Sequence, residues 1–357
     1  MNGGRYEEAG VRGQGAAVSS VLHHLGSTLT LPDCAEVMTG FGHYASVLKV
    51  SDDIALAIST DGVGSKTLIA SALDRYSTIG FDCVAMNVND VLCVGAAPVA
   101  MVDYLGVNSL DPQRVEAVLG GLATAAAEAA IAVPGGEIAQ LPEVIGPRED
   151  AFDLVGTCVG VVHPDRLVLG ADISPGDSII GLSSSGIHSN GLTLARRVLL
   201  PAGGDGLGTH VAALGRSLGE ELLEPTLIYA SAVRALRGLP VRGLAHITSD
   251  GLANLCRLEA AVGYTITTLP PRPPIFGLIQ ETGGIEDAEM FRVFNMGVGF
   301  VVIVRSNDAS EALGRLRGAG YEAAPLGVVG DDSGRVVIEP VGLVGSMDGS
   351  ESAFSAL

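Results

Sequence analysis

What most restricts the fold of this chain is a switch of hydrophobic period that runs through it twice. In the first half, IALAIS (54–59), VAMVDYLGV (99–107) and DLVGTCVGVV (153–162) are apolar runs of strand length. The stretches between them, STIGFDCVAMNVNDVLCVG (77–95) and DPQRVEAVLGGLATAAAEAAIA (111–132), have the length and composition of helices. The second of these opens on Asp111-Pro112, a capping side chain followed by proline at the first helical position.

Near His163-Pro164-Asp165 the pattern starts again. DSIIGLSSSG (177–186) predicts a strand running into a loop, and SNGLTLARRVLL (189–200) a helix. A glycine-rich linker at 202–209 precedes one long helix around LGEELLEPTLIYASAVRALRGL (218–239). Strand GLAHIT (243–248), helix LANLCRLEA (252–260) and strand YTITTL (264–269) follow. A proline-rich turn at 270–274, further helices, and strands GVGFVVIV (297–304) and RVVIE (335–339) complete the pattern. The expectation is an α/β (α+β) chain with a mobile glycine-rich arm at 1–16, an N-terminal domain at 17–165, a C-terminal domain at 166–345 and a tail at 346–357.

A chain of 357 residues that is 47% hydrophobic has ample material for two cores. Its formal charge of −19 argues against nucleic acid or an acidic membrane as partner, because holding many phosphates by charge needs clustered Lys and Arg. A small phosphorylated molecule stays open, since backbone N–H groups, a helix N-terminus or a divalent cation can hold phosphate. The five cysteines (Cys34, Cys83, Cys93, Cys158, Cys256) have no C-x-x-C spacing and read as reduced thiols. With no membrane-length apolar run and no apolar signal core in MNGGRYEEAGVRGQG, the expectation is a soluble, cytoplasmic protein.

Four stretches hold groups that packing alone does not require. AISTDGVGSKTLIA (57–70) ends an apolar run on Asp61, passes Gly62 and Gly64, and enters the next apolar run at Lys66, one of only two lysines. It is neither a Walker A loop nor a dinucleotide fingerprint, because Ser65 and Thr67 stand where glycines are needed. It reads either as a phosphate-and-metal corner or as an ordinary strand–turn–helix with a surface lysine. In FDCVAMNVNDV, an otherwise apolar helix carries Asp82, Asn87, Asn89 and Asp90, and buried carboxylates need partners. In VPGGEIAQLP, Gly135-Gly136 puts Glu137 at a flexible strand end. SSSGIHSNG (183–191) sets Ser184, Ser185, Gly186, His188, Ser189, Asn190 and Gly191 at a helix start, either as an anion nest or with Ser189 or Asn190 as a simple N-cap.

Taken in order and spacing, these stretches resemble the aminoimidazole ribonucleotide synthetase (phosphoribosylformylglycinamidine cyclo-ligase) family. The resemblance extends over YEEAGV (6–11), GAAP (95–98), LGEELLEPTLIYA (218–230), HIT (246–248) and FNMGVG (294–299), nearly the whole chain. It implies a two-domain PurM-like fold, a homodimer whose N-terminal sheets join into a β-barrel flanked by helices, and use of ATP with Mg²⁺. By motif position it makes Asp61, Asp90 and Glu137 the metal ligands. Asp61, Gly62, Gly64, Lys66, Asp82, Asn87, Gly135 and Gly136 become ATP contacts, and the 183–191 loop the substrate site. Lys66 and Asp90 are then expected to act in catalysis, with His188 handling a proton or stabilising an oxyanion.

The implied chemistry is phosphorylation of a formamide oxygen, attack by an amidine nitrogen, and closure of an imidazole ring. Four positions depart from the family pattern. Gln140 stands for a carboxylate after the Gly-Gly-Glu, Ser249 and Asp250 stand for two glycines after HIT, and Arg12 replaces an acid. These departures leave room for a paralog acting on another amide or related oxygen, or for a catalytically silent nucleotide-binding homologue. Retention of Asp61, Lys66, Asp90 and Glu137 counts against silence.

Overall fold

A computed structural model describes residues 5–10, 20–21, 23–200, 206–348 and 351–357. Within them, two sheets correspond to the two halves of the sequence pattern. The first has strand order β1 (Glu36–Val37), β2 (Ser46–Lys49), β3 (Ala55–Gly62), β6 (Phe152–Val162), β4 (Ala97–Val107) and β5 (Ala132–Gln140). All neighbours are antiparallel except β4 and β5, which are joined by a helical crossover as a parallel pair requires.

One face of this sheet is covered and the other is bare. Along β6 every second residue is buried, from Phe152 through Leu154, Gly156, Cys158 and Gly160 to Val162. Over that face lie α3 (Ser77–Cys93) and α4 (Pro112–Ala129), preceded in the chain by α1 (Arg5–Glu8) and α2 (Lys66–Leu73). The predicted cap forms: the Asp111 carboxylate accepts hydrogen bonds from Gln113 and Arg114 backbone N–H groups, and Pro112 begins α4. α3 and α4 press together through Gly80 and Gly121. A Cβ on Gly121 would stand 1.7 Å from Ser77 O, so only glycine permits this approach. The opposite face carries Val99, Val102 and Tyr104 at 42%, 45% and 37% exposure, beside Leu56, Ile58 and Val155.

The second sheet runs β10 (Val241–His246), β12 (Val298–Val304), β7 (Ser178–Ser183), β13 (Ala323–Gly330), β11 (Gly263–Ile266), β14 (Arg335–Ile338), β15 (Leu343–Asp348) and β16 (Glu351–Ala356). Its strand β12 is buried throughout, and α5 (Leu192–Leu199), α8 (Pro274–Gly283), α9 (Asp287–Val293) and α10 (Ala309–Gly318) accompany it. A two-stranded ribbon of β8 (His210–Val211) and β9 (Arg216–Ser217) lies apart from both sheets.

Several expectations change. The long helix at 218–239 is two short ones, α6 (Leu218–Leu222) and α7 (Ala230–Ala235), with a non-helical link between. Pro225 has no N–H to donate and disfavours helix at Glu224, and the link's backbone is used elsewhere. LANLCRLEA forms a 3-10 helix, Gly251–Arg257. In the expected tail, residues 349–350 lie outside the described residues, while β15 and β16 complete the second sheet and Phe354 packs on the core. Of the arm expected at 1–16, residues 1–4 and 11–16 lie outside the described residues. Residues 5–8 form α1, and Tyr6 N donates to Glu289 Oε1 at 2.8 Å. The cysteines are free, with Cys83, Cys93 and Cys158 buried and Cys34 exposed.

Candidate active site

One side of α3 organises the centre of the molecule. Asp82, Asn89 and Asp90 stand seven and eight residues apart, about two helical turns, so they project together toward the C-terminal half. Asp82 Oδ1 accepts hydrogen bonds from Thr226 N and Thr226 Oγ1, both at 2.7 Å. Asn89 donates to Leu227 O at 2.8 Å, and its Oδ1 accepts from Tyr229 N at 2.9 Å. Asp90 Oδ1 lies 2.9 Å from Nδ1 of His246, the last residue of β10. The link between α6 and α7 therefore gives its backbone groups to α3 instead of to a helix of its own. That satisfies the buried Asp82 Oδ1 and the Asn89 amide, two of the polar groups that made the α3 sequence odd.

His246 is fully buried, and its Nε2 stands 3.5 Å from Asn89 Nδ2. Both contacts are met by the tautomer that donates from Nδ1 to Asp90 and accepts at Nε2. Asp90 Oδ2 also takes a 3.4 Å bond from Ser59 Oγ on β3. Next to Asp90 at the end of β3 is Asp61, whose Oδ1 accepts from Gly62 N at 2.7 Å. Burial, then the charge of Asp90, push the Asp61 carboxyl up to about 6. The Asn87 amide donates to Asp61 O at 3.2 Å and to Cys83 O at 2.9 Å, while its buried Oδ1 has no partner. It rests over Gly156, where a Cβ would come within 2.8 Å of Nδ2.

Lys66 is neither a surface lysine nor a charge facing an open cleft. Its side chain and that of Asp82 are both 0% exposed, with Nζ 2.7 Å from Asp82 Oδ2. Nζ also donates to Glu224 O at 2.6 Å. Lys66 and Asp82, expected as ATP contacts, are spent on each other because a buried charge must be paired.

The 183–191 loop faces the same seam but is closed on itself more than expected. Ser184 Oγ lies 3.0 Å from both Gly186 O and Asn295 Oδ1. Ser185 Oγ donates to Pro225 O at 2.5 Å, and Ser189 Oγ meets Thr226 Oγ1 at 3.0 Å. The N-cap of α5 is Gly191, in the left-handed region at φ 76°, not Ser189 or Asn190. The first turn of α5 carries no side-chain cap and no acidic residue. His188 is buried at φ 62° and accepts from Ser185 N at Nε2 (3.2 Å), which puts its hydrogen on Nδ1, an atom without a partner. Burial, then His246 and Lys66, hold its pKa well below the ordinary 6.5. Near neutrality the ring is thus a fixed, uncharged N–H donor, which suits the second of its two expected roles, oxyanion stabilisation, better than the first, proton handling.

Glu137 is not brought to Asp61 and Asp90 within one chain. Asp61 registers with Gly156, Gly156 with Asp103, and Asp103 with Gly136, three strand spacings of about 4.8 Å each. Glu137 belongs to the next rung with Tyr104 and Val155, and strand side chains alternate, so it is exposed toward the uncovered face. Asp103, which the motifs did not signal, lies against Gly136, with Oδ1 2.3 Å from where a Cβ would be. Among the described residues no three His, Cys, Asp or Glu side chains form a metal cage.

Of the departures, Asp250 adopts φ 73° and its carboxylate is engaged by Ser352 Oγ (2.8 Å) and Arg257 (3.5 Å). Ser249 O accepts from Asn254 Nδ2 at 3.0 Å. Gln140 ends the edge strand β5, exposed. Glu224 and Thr226 also escaped the motif reading, although Pro225 between them was a sign that the helix breaks there.

The AIR synthase related protein N-terminal and C-terminal domain models match residues 42–162 and 174–339. The phosphoribosylformylglycinamidine cyclo-ligase of Methanothermobacter thermautotrophicus is 47% identical over 324 residues, 90% of this chain and 92% of that protein. The protein of that name from Thermococcus kodakarensis is 49% identical, over 83% of this chain and 85% of its own. Hydrogenase maturation protein HypE in complex with ATP shares the fold at TM-score 0.58 and 22% identity, covering 96% of this chain and 95% of that one. AaThiL complexed with AMPPCP and TMP does so at TM-score 0.63 and 15% identity, covering 96% of each chain. No described helix is long and apolar enough to cross a membrane.

Proposed function

From the premise that this chain belongs to the AIR synthase related protein family, we propose that it is the ATP-dependent cyclo-ligase of purine biosynthesis. It converts formylglycinamidine ribonucleotide to aminoimidazole ribonucleotide with release of ADP and phosphate. The observation that carries this reading is identity of 47% to a cyclo-ligase across 90% of the chain. The intact Asp61–Asp90–His246 corner supports it. Ser249 and Asp250 are accommodated locally, so they give the paralog reading no independent support.

The residues suit Mg²⁺. Mg²⁺ is held by one or two carboxylates plus substrate phosphates, and Asp61, Asp90 and the unpartnered Asn87 Oδ1 offer hard oxygen donors. The ion would screen phosphate charge and polarise the transferred phosphoryl group. His246 orients Asp90 by donating from Nδ1. The uncapped start of α5 offers backbone N–H groups to the phosphate of the substrate. His188 keeps an N–H on Nδ1 for an oxygen that gains negative charge.

The chemistry runs in two stages. The formamide oxygen of the substrate attacks the terminal phosphorus of ATP, and ADP leaves. The amidine nitrogen then adds to the activated carbon, the C–O bond to phosphate breaks, and loss of a proton gives the imidazole. The protein supplies position and charge neutralisation.

A second copy of the chain is the partner in this reading. The bare face around Val99, Val102 and Tyr104 suits packing against the same face of another molecule. Sedimentation at micromolar concentration should give a dimer, and a monomer would remove that element. The decisive assay mixes protein, Mg²⁺, ATP and formylglycinamidine ribonucleotide. Equimolar ADP and aminoimidazole ribonucleotide are expected, whereas ATP turnover only with a different amide would replace the substrate.

A further inference from the structure

The Lys66–Asp82 pair has no evident part in binding a ligand, yet it lies on the seam where the N-terminal half meets the C-terminal half, two turns along α3 from the Asp90–His246 contact. Asp61 is the last residue but one of β3, and four residues on, Ser65 is the N-cap of α2. Ser65 makes no capping bond to its own helix. Its hydroxyl lies 3.0 Å from Thr193 Oγ1 in the first turn of α5, in the other half. Lys66 follows, and its Nζ holds Asp82 of α3 at 2.7 Å and Glu224 O at 2.6 Å. Asp82 in turn holds Thr226, whose hydroxyl meets Ser189 in the 183–191 loop. An unbroken chain of short contacts thus runs from the Asp61 loop to both segments of the proposed substrate side.

We infer that Lys66 is a positioning residue that couples the nucleotide corner to the substrate loop, not a phosphate ligand. The inference rests on the reading that Asp61 and Asp90 receive a Mg²⁺–nucleotide. Nucleotide binding shifts the Asp61–Ser65 loop, and Lys66 and Ser65 pass that shift to residues 224–226 and to the start of α5. An ammonium with no exposed surface and two short partners cannot also reach a phosphate without breaking the pair.

The test uses the full chain with Lys66→Met and Asp82→Asn together. Both charges disappear, the methionine keeps much of the lysine's length, and the asparagine Oδ1 still accepts from Thr226. Two neutral side chains avoid the stranded charge that a single change would leave. The probe is Mg²⁺ with the β,γ-methylene analogue of ATP. Calorimetry gives its affinity, and amide hydrogen exchange follows peptides covering 185–195 and 222–230.

In the unaltered protein the analogue should slow exchange in both peptides. In the double variant its affinity should stay within about threefold, while that protection falls to less than a quarter. A tenfold or larger loss of affinity would make Lys66 a phosphate contact and overturn the inference. Undiminished protection at unchanged affinity would reduce the pair to a structural filler and overturn it as well. Neither readout needs the cyclo-ligase substrate, so an unaltered protein that fails to make aminoimidazole ribonucleotide would sink the proposed reaction separately.

Discussion

Two glycine-flanked acids in the N-terminal half look alike in sequence and have different surroundings. Asp61, before Gly62 and Gly64, is packed beneath α3, faces Asp90, and is tied through neighbouring residues to the other half of the molecule. Glu137, after Gly135 and Gly136, stands exposed on the edge strand β5. The first acid is preorganised and bears the cost of burial before any ligand arrives. The second bears no such cost and meets the first only through a ligand or a second chain lying across the sheet. A shared motif thus fixes which residue is present, while its neighbours across the seam decide how it works.

The sharpest way to break this contrast is Asp61→Asn. Turnover of ATP should fall by about 10³-fold or more, since a neutral amide is a poor Mg²⁺ ligand in a preorganised site. Thermal stability should hold or rise, because a half-buried charge facing Asp90 is removed, and normal turnover would take Asp61 out of the site. Next comes Lys66→Met alone. It strands the Asp82 carboxylate with no exposed surface, and urea denaturation should show a loss of about 3–5 kcal/mol. A loss below about 1 kcal/mol would contradict the pair's role as a buried link.

The buried His188 and the half-buried His43 give a graded effect. Burial holds the His43 pKa down at about 4 and His188 well below 6.5. The unfolded chain takes up these protons near pH 6.5 and the folded chain does not, so stability is complete above that pH and falls as pH drops below it. Each histidine contributes a slope of about 1.4 kcal/mol per pH unit. Asp61, raised to about 6, takes up its proton in the folded state first and so offsets about one histidine's share below pH 6. Denaturation between pH 6.5 and 5 should show the remainder, and His43→Gln should remove one share. An unchanged slope in that variant would contradict the assignment. The smallest effect is expected of Glu137→Gln. Its exposed side chain predicts unaltered stability and a rise of about tenfold in KM for Mg–ATP, about 1.4 kcal/mol. If Glu137→Gln instead matched Asp61→Asn in turnover, the contrast between the two acids would collapse.

Much of this was legible along the chain where local signals decide structure. The strand–helix alternation, the Asp111-Pro112 cap and the polar residues on α3 all carried their meaning in short windows. The link at 223–229 did not, because its apolar residues have helical spacing and only Pro225 marks the break. β16 was missed because ESAFSA has no apolar run, and it is held by pairing with β15. Lys66 could not be read either, since Asp82 and Glu224 O reach it from other parts of the chain. Register across four strands separates Glu137 from Asp61, and no spacing in a single sequence encodes that.

The account turns on whether Asp61 and Asp90 together hold the cation that carries nucleotide. Crystals grown with Mn²⁺ and the β,γ-methylene analogue of ATP, read by manganese anomalous scattering, address this directly. The expected result is a manganese peak about 2.1 Å from carboxylate oxygens of both residues, with phosphate oxygens completing its shell. Manganese bound to nucleotide elsewhere, with Asp61 and Asp90 still joined only to Gly62, Ser59 and His246, would contradict it.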